Sequence, residues 1–438
     1  MKYILSVIIS ISLLNQFVNA QTILKFNNID SLFNYAENNS QSIKTGEQQM
    51  LLAKWQKISA QAGVLNFRVP TNFNLTDNIA QQVTFLPAEA FGGQPGTFKQ
   101  VTTGQQYVGN FNIAPQIDII NPASWAKLKS ASVNSEQTEL NNLIVKKTLF
   151  ESISATYHNI ISMQEQVEIT QNNLLVSDTL YLNMQNKYSQ GIVRQQDLND
   201  AQINRINLSD KLEQLKLSLK QQYLSIKILC DISENNEIVI DESIQYNQQF
   251  SLGLAIDNQL QYKSSLLKVE QANADIKTNR FMQLPTLSFV YYDAWQQNSN
   301  IQFFDSNLDW INSQYLGLKL TMLFPDVNRY TLTQTSKINK AISLQNAEHS
   351  KIQNVLVNKQ LVLDYEKAYS QFNTTQQIYE LKVQNYQLAF NQFNASILPS
   401  DKLLIAFNDL LVSRLNFSNA LSNVLFTKSK IEINNKIK

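Results

Sequence analysis

Two segments of this chain carry the same apolar seam. Stepping alternately by three and four residues from Leu143 passes Phe150, Ile153, Tyr157, Ile160, Val167, Leu174, Tyr181 and Tyr188. The same stepping from Val355 passes Val362, Tyr365, Tyr369, Phe372, Tyr379, Val383, Tyr386, Phe390 and Phe393. A 3.5-residue spacing kept over about six heptads marks helices built to lie against other helices. The second seam is the first displaced by 205 residues without a break in phase: Phe150 falls on Val355 and Tyr188 on Phe393. Recurrence in phase at nearly half the length of a 438-residue chain reads as an internal duplication.

Length then limits the fold. Ser124 to Tyr188 and Tyr330 to Phe393 are predicted as single helices, each roughly 100 Å long at 1.5 Å per residue. Only 10 Gly and 8 Pro in the whole chain are consistent with such long runs. Asp197–Leu229 and Asp401–Ile433 read as helices returning about half that distance. Gln259–Gln283 and Ile29 to about Ala62 supply the other halves. No compact globule needs helices of this length.

Each long seam ends at a similar turn. The first is Tyr188-Ser-Gln-Gly191-Ile192-Val193 followed by Asp197; the second is Phe393-Asn-Ala-Ser396-Ile397-Leu398 followed by Asp401. An Asp opening a helix accepts from the unpaired N–H groups there and opposes the helix dipole favourably. Counted from the aromatic to the Asp, the second turn reads one residue shorter.

Between the helices the period changes from 3.5 to 2. Phe67, Val69, Thr71, Phe73 and Leu75 alternate with polar residues, as do Tyr107, Phe111, Ile113, Ile117 and Ile119. Phe289, Tyr291 and Trp295, then Leu316, Leu318, Leu320, Met322 and Phe324, follow in the second half. Alternating strands with aromatic ends suit a membrane barrel with lipid outside and water inside; a half-buried soluble sheet gives the same alternation. Four strands cannot close a barrel, so the edges would have to be hidden by oligomerisation.

The N-terminus bears on compartment. Met1-Lys2, the apolar run Tyr3–Leu14 and Val18-Asn19-Ala20 form a secretory signal peptide with cleavage expected after Ala20. Beyond it no run of about 20 apolar residues occurs, so any membrane crossing falls to strands. The expected layout is a signal peptide, 1–20; a first repeat, 21–229; an equatorial linker of mixed type, 230–258; and a second repeat, 259–438.

This order of signal peptide and two copies of helix–strand–loop–strand–helix, with those two tips, resembles the TolC-type outer membrane efflux family over essentially the whole mature chain. The segment Phe85–Phe98 looks like its Bacteroidetes-type variant. The resemblance implies a mostly α fold with a β-barrel part: a homotrimer whose four strands per chain make one twelve-stranded barrel, with a long α-helical coiled-coil barrel reaching into the periplasm. It also implies a duct of a tripartite efflux or type I secretion system, engaged by a periplasmic adaptor and an inner-membrane pump, doing no covalent chemistry. Asp197 and Asp401 match acidic positions at the family's constricted tip, with Tyr188 and Phe393 beside them. Phe393 lacks the aromatic hydroxyl, and Leu398 stands near the basic position, of the family's closed-tip network. Gly191, Ile192, Val193, Ser396, Ile397 and Leu398 are the expected adaptor-facing tip.

Other chemistry is poorly supplied. A single Cys (Cys230) and two His (His158, His349) leave little for a thiolate metal site or a catalytic triad, and no cofactor or metal is expected. A net charge of +1 gives no footprint for nucleic acid. The alternative to a duct is a periplasmic coiled-coil scaffold or adaptor, which has no use for the amphipathic strands.

Overall fold

The chain is described by a computed structural model over residues 23–241, 255–395 and 397–437. The signal peptide, part of the expected linker and Ser396 lie outside the described residues. In chain order the elements are β1 (Ile23–Phe26), α1 (Ile29–Asn39), α2 (Gln41–Ala62), β2 (Thr71–Asp77), β3 (Val83–Pro87), β4 (Phe98–Thr102), β5 (Tyr107–Ile113) and β6 (Gln116–Ile120). Then come α3 (Pro122–Ser189), α4 (Gln195–Cys230), β7 (Glu237–Ile240), α5 (Leu260–Phe281), β8 (Thr286–Ser299), β9 (Ile311–Thr321), α6 (Val327–Asn394) and α7 (Ser400–Lys436).

The duplication survives to single-residue accuracy in the helices. α3 and α6 are each 68 residues long, and α6 starts and ends 205 residues after α3. α7 starts 205 residues after α4. The two tip turns are therefore equal in length, which corrects the expectation of a shorter second turn. What differs is the acid's place: Asp197 is the third residue of α4 and Asp401 the second of α7.

The chain forms two compact units that cut across the expected repeats, because α3 and α6 each contribute to both. One comprises residues 1–49, 139–264 and 348–438. Its core joins the parallel pair β1–β7 to helices through Phe26, Leu32, Tyr157, Ile160, Ile226 and Leu260, with Phe33 stacked on Phe150 at 4.5 Å. The expected N-terminal helix is broken at Ser40 into α1 and α2. Asp231, in the left-handed region at φ 53°, caps the new start: its carboxylate accepts from the Gln41 N–H at 2.7 Å. Gly46 lets α2 approach α3, since a Cβ there would lie 3.1 Å from Asn142, whose amide donates to the Gly46 carbonyl.

The other unit comprises residues 50–138 and 265–347 and contains the main sheet. Its order is β2, β5 with β6, β8, β9, all neighbours antiparallel. β5 and β6 pair with one edge of β8 in a single register, interrupted at Ala114-Pro115 and shifted near Ile119. They are two parts of one strand, so the four predicted strands are present. The β3–β4 hairpin in the loop after β2 was not foreseen. At the foot of the sheet Asp118, 1% exposed, accepts from Asn66 and Ser288 at 2.7 Å, Asn121 at 2.9 Å and Arg68 at 3.3 Å. It ties the strand ends to the residue preceding α3.

Candidate functional site

The tip is built by two helical hairpins, α3–α4 and α6–α7, that close in the same way. The Ile192 N–H reaches back to the Lys187 carbonyl, and the Ile397 N–H to the Gln392 carbonyl, both at 2.9 Å and 205 residues apart. Gly191 stands at φ +73°, where glycine is favoured just past a helix end. One ion pair clasps each hairpin: Arg205 with Asp178, and Lys382 with Asp409 at 2.6 Å. Both are solvent-exposed, so they fix register more than they stabilise.

Beneath the turns lies a cluster of Ile169, Leu180, Met184, Ala201, Phe393, Leu403, Leu404 and Phe407. Phe393 is 5% exposed, with the Lys187 ammonium 3.9 Å from its ring centre. Its ring packs inside this cluster, because its seam faces the partner helices. Tyr188 is partly exposed. Val193 and Leu398 turn inward onto the cluster, whereas Ile192 and Ile397 project outward, 63% and 74% exposed. Gly191 is also exposed.

The two acids sit differently. The Asp197 carboxylate accepts from the Arg194 backbone N–H at 2.9 Å and from the Arg194 guanidinium at 3.3 Å. These bonds, with one from the Ser400 hydroxyl, hold its pKa below the usual carboxylate range. The Asp401 side chain is about half exposed, with Lys402 3.9 Å away. Sequence reasoning missed Lys187, Arg194 and Ser400. Only Arg194 left a signal, three residues before Asp197, the spacing of a helix-start pair.

The sheet has two contrasting faces. Its register aligns Phe73, Phe111 and Trp295, and below them Ile117, Phe289 and Leu318, with Leu287 beside Leu320. Leu316, Leu318 and Leu320 are mostly exposed. Between the aliphatic rows and the Phe73 row lies a polar band, where Asp293 accepts from Asn312 at 2.7 Å and Gln314 at 3.3 Å. The opposite face carries Asn72, Asn110, Asn112, Gln296 and Asn298, with amides bonded in sequence: Asn72 to Asn112 at 3.1 Å and Asn112 to Asn110 at 3.0 Å. One edge of β2 and one edge of β9 are unpaired among the described residues.

No described helix is long and apolar enough to cross a membrane, and no cluster of three potential metal ligands occurs among the described residues. Cys230 is fully buried, and burial pushes its thiol pKa up to about 12, so it is unreactive at neutral pH.

His158, on α3, is 8% exposed, and neither ring nitrogen has a hydrogen-bond partner. Burial lowers its pKa to about 4. Both states hold it neutral above the unfolded value near 6.5. As pH falls below that, the unfolded chain takes the proton first, so stability is lost progressively down to about pH 4. The full shift corresponds to roughly 3 kcal/mol. His158→Leu should therefore lose less stability than the parent between pH 7 and pH 4.5. The measure is the denaturation midpoint of the helical signal, and parallel pH curves would refute the assignment.

No family model and no curated protein matches the sequence. Solved structures do match in shape. The outer membrane protein VceC of Vibrio cholerae superposes with a TM-score of 0.73 at 14% identity, covering 92% of this chain and 94% of that one. The CmeC outer membrane channel of Campylobacter jejuni gives 0.75 at 15% identity, covering 93% and 85%. The open-state MtrE outer membrane channel of Neisseria gonorrhoeae gives 0.68 at 11%, covering 92% and 88%. The chain thus has the TolC-type channel fold, mostly helical with an amphipathic strand sheet.

Proposed function

We propose that this chain is a passive exit duct of the outer membrane, working as a homotrimer with a periplasmic extension and without catalysis. The observation that carries this reading is the sheet: one face apolar and exposed, the other lined with amides, and both edges open. An isolated four-stranded sheet of this kind exposes unpaired backbone and aliphatic surface at once. Three copies joined edge to edge would make a twelve-stranded barrel with lipid outside and water inside. A periplasmic scaffold offers no environment for such a face.

The tip is a second working surface. Ile192 and Ile397, with Gly191 and Ser396, form the surface offered to a periplasmic adaptor and, through it, an inner-membrane pump. Val193 and Leu398 support that surface from within. Lys187 on the Phe393 ring and Ser400 with Asp197 join the two hairpins and act as the latch of the closed tip. Three exposed Asp401 carboxylates at the trimer axis form the cation-attracting ring of the constriction, near Tyr188. Small toxic compounds or secreted substrates are the cargo.

The full-length chain should conduct ions in a planar bilayer. Ile192→Asp and Ile397→Asp should keep that conductance and the trimer yield but lose export of toxic compounds by cells, at least tenfold. In the same recordings Lys187→Met should open the channel further, and Asp401→Asn should weaken block by trivalent cations. A parent that does not conduct refutes the duct; normal export by both isoleucine variants refutes the tip assignment. Unchanged recordings refute the corresponding latch or ring.

A further inference from the structure

The amide-lined face of the sheet carries very little charge. Asn72, Asn110, Asn112, Gln296 and Asn298 lie on it, and no Asp, Glu, Lys or Arg falls on it in β2, β5 or β8. The acids Asp77 and Asp293 belong to the opposite face, where Asp77 alternates in step with Phe73 and Asp293 with Trp295. In β9 the one charge on the amide face is Lys319.

The charge of this face is gathered in a single row at the foot of the sheet. Lys319 is paired in register with Ser288, and Ser288 with Asp118. The Ser288 hydroxyl donates to the Asp118 carboxylate at 2.7 Å, so these residues share the face. Arg68 joins the row through Asp118 at 3.3 Å. The acid and the cations differ in their access to water. Asp118 is 1% exposed beneath its donors, whereas the Arg68 side chain is 40% exposed and reaches the acid through one guanidinium nitrogen. Lys319 is exposed, with no hydrogen bond or ion pair among the described residues. Two cations against one carboxylate leave one positive charge per chain in this row, and the amides above it supply nothing to offset it.

We propose that this row is an anion-attracting collar at the foot of the barrel: Lys319, with Arg68 beside it, from each of three copies around one lumen forms a transient binding site for carboxylate or phosphate groups on the cargo. The assignment rests on the homotrimer reading and adds to it the sign of charge that the strand-bearing part favours. Rings of charged side chains select ions of the opposite sign in other pores, with Lys and Arg serving anions. Lys319 supplies the larger share, because Asp118 already offsets Arg68. The reach of such a ring is about 10 Å at 0.1 M ionic strength and about 30 Å at 0.01 M, so dilute salt strengthens it. Its preference is opposite to that of the Asp401 ring, so the charge of the probe separates the two.

The test records the full-length channel in planar bilayers of neutral lipid at low salt, with inorganic triphosphate in both chambers as the probe. Blocking Lys319→Gln should take roughly ten times more triphosphate than blocking the parent. Lys319→Glu should also move the reversal potential in a KCl gradient toward cation preference. Lys319→Arg keeps the charge and should be blocked like the parent. No block of the parent, or equal block of the parent and Lys319→Gln, overturns the collar. Block that is lost in Lys402→Gln but kept in Lys319→Gln overturns it as well, because the anion site would then lie beside Asp401. A parent that does not conduct overturns the duct itself, the reading on which the collar rests.

Discussion

Leu318→Arg should abolish assembly of the barrel. Leu318 is 67% exposed on the apolar face, and its row, with Ile117 and Phe289, is flanked above and below by further aliphatic rows. That places it near the middle of the apolar band. An Arg at mid-depth on a lipid face costs about 2–4 kcal/mol, and a trimer would carry it three times. Lys319, its neighbour on the polar face, is the control: Lys319→Arg should assemble as the parent does. The measure is the fraction of protein migrating as heat-resistant trimer in outer-membrane preparations. Phe111 is a weaker place to look, since its row lies beyond the Asp293 band, nearer the edge of the apolar zone. Normal trimer yield from Leu318→Arg would mean that this face does not meet lipid.

Asp118→Ala should be the most destabilising single change in the strand-bearing unit. The carboxylate is 1% exposed and gathers donors from Asn66, Arg68, Asn121 and Ser288. Removing it takes the acceptor from the buried Ser288 hydroxyl and from the half-buried Asn66 and Asn121 amides, while Arg68 keeps its access to solvent. Leaving a buried hydrogen-bonding group without its partner costs about 1–3 kcal/mol; the Arg68 guanidinium, 40% exposed, adds little because water can take the carboxylate's place. Asp118→Asn keeps the shape and one acceptor oxygen, and should lose less. The expected readout is a large drop in the urea midpoint of the strand signal for Asp118→Ala and an intermediate one for Asp118→Asn. Equal midpoints for both variants and the parent would show that the network is incidental.

The long helices, the duplication and the alternating strands were legible in the residues alone. Each is set by a periodic pattern that one segment carries by itself: a 3.5-residue seam from Leu143 and again from Val355, and a two-residue alternation around Phe111. Physics at that range is local, since a helix or strand with one apolar face has few ways to hide it. The tip turns were readable for the same reason, down to Gly191 and the acids that open α4 and α7.

Only the tertiary structure decided what depends on residues distant in sequence. The burial of Phe393 follows from which way its seam turns toward the cluster around Leu403 and Phe407, a choice the periodicity does not express. The equal length of the two turns emerged only once helix ends were fixed by their own hydrogen bonds, as at Ile192 and Ile397. The Asp118 network draws on Asn66, Arg68 and Ser288, as far apart as 170 residues from the carboxylate in the last case, so no local spacing could announce it. The strand register, which sets Leu318 beside Phe289 and places β2 and β9 at opposite open edges, likewise comes from pairing between segments. Sequence pattern determines which surface of an element is apolar; contact between elements determines what that surface meets.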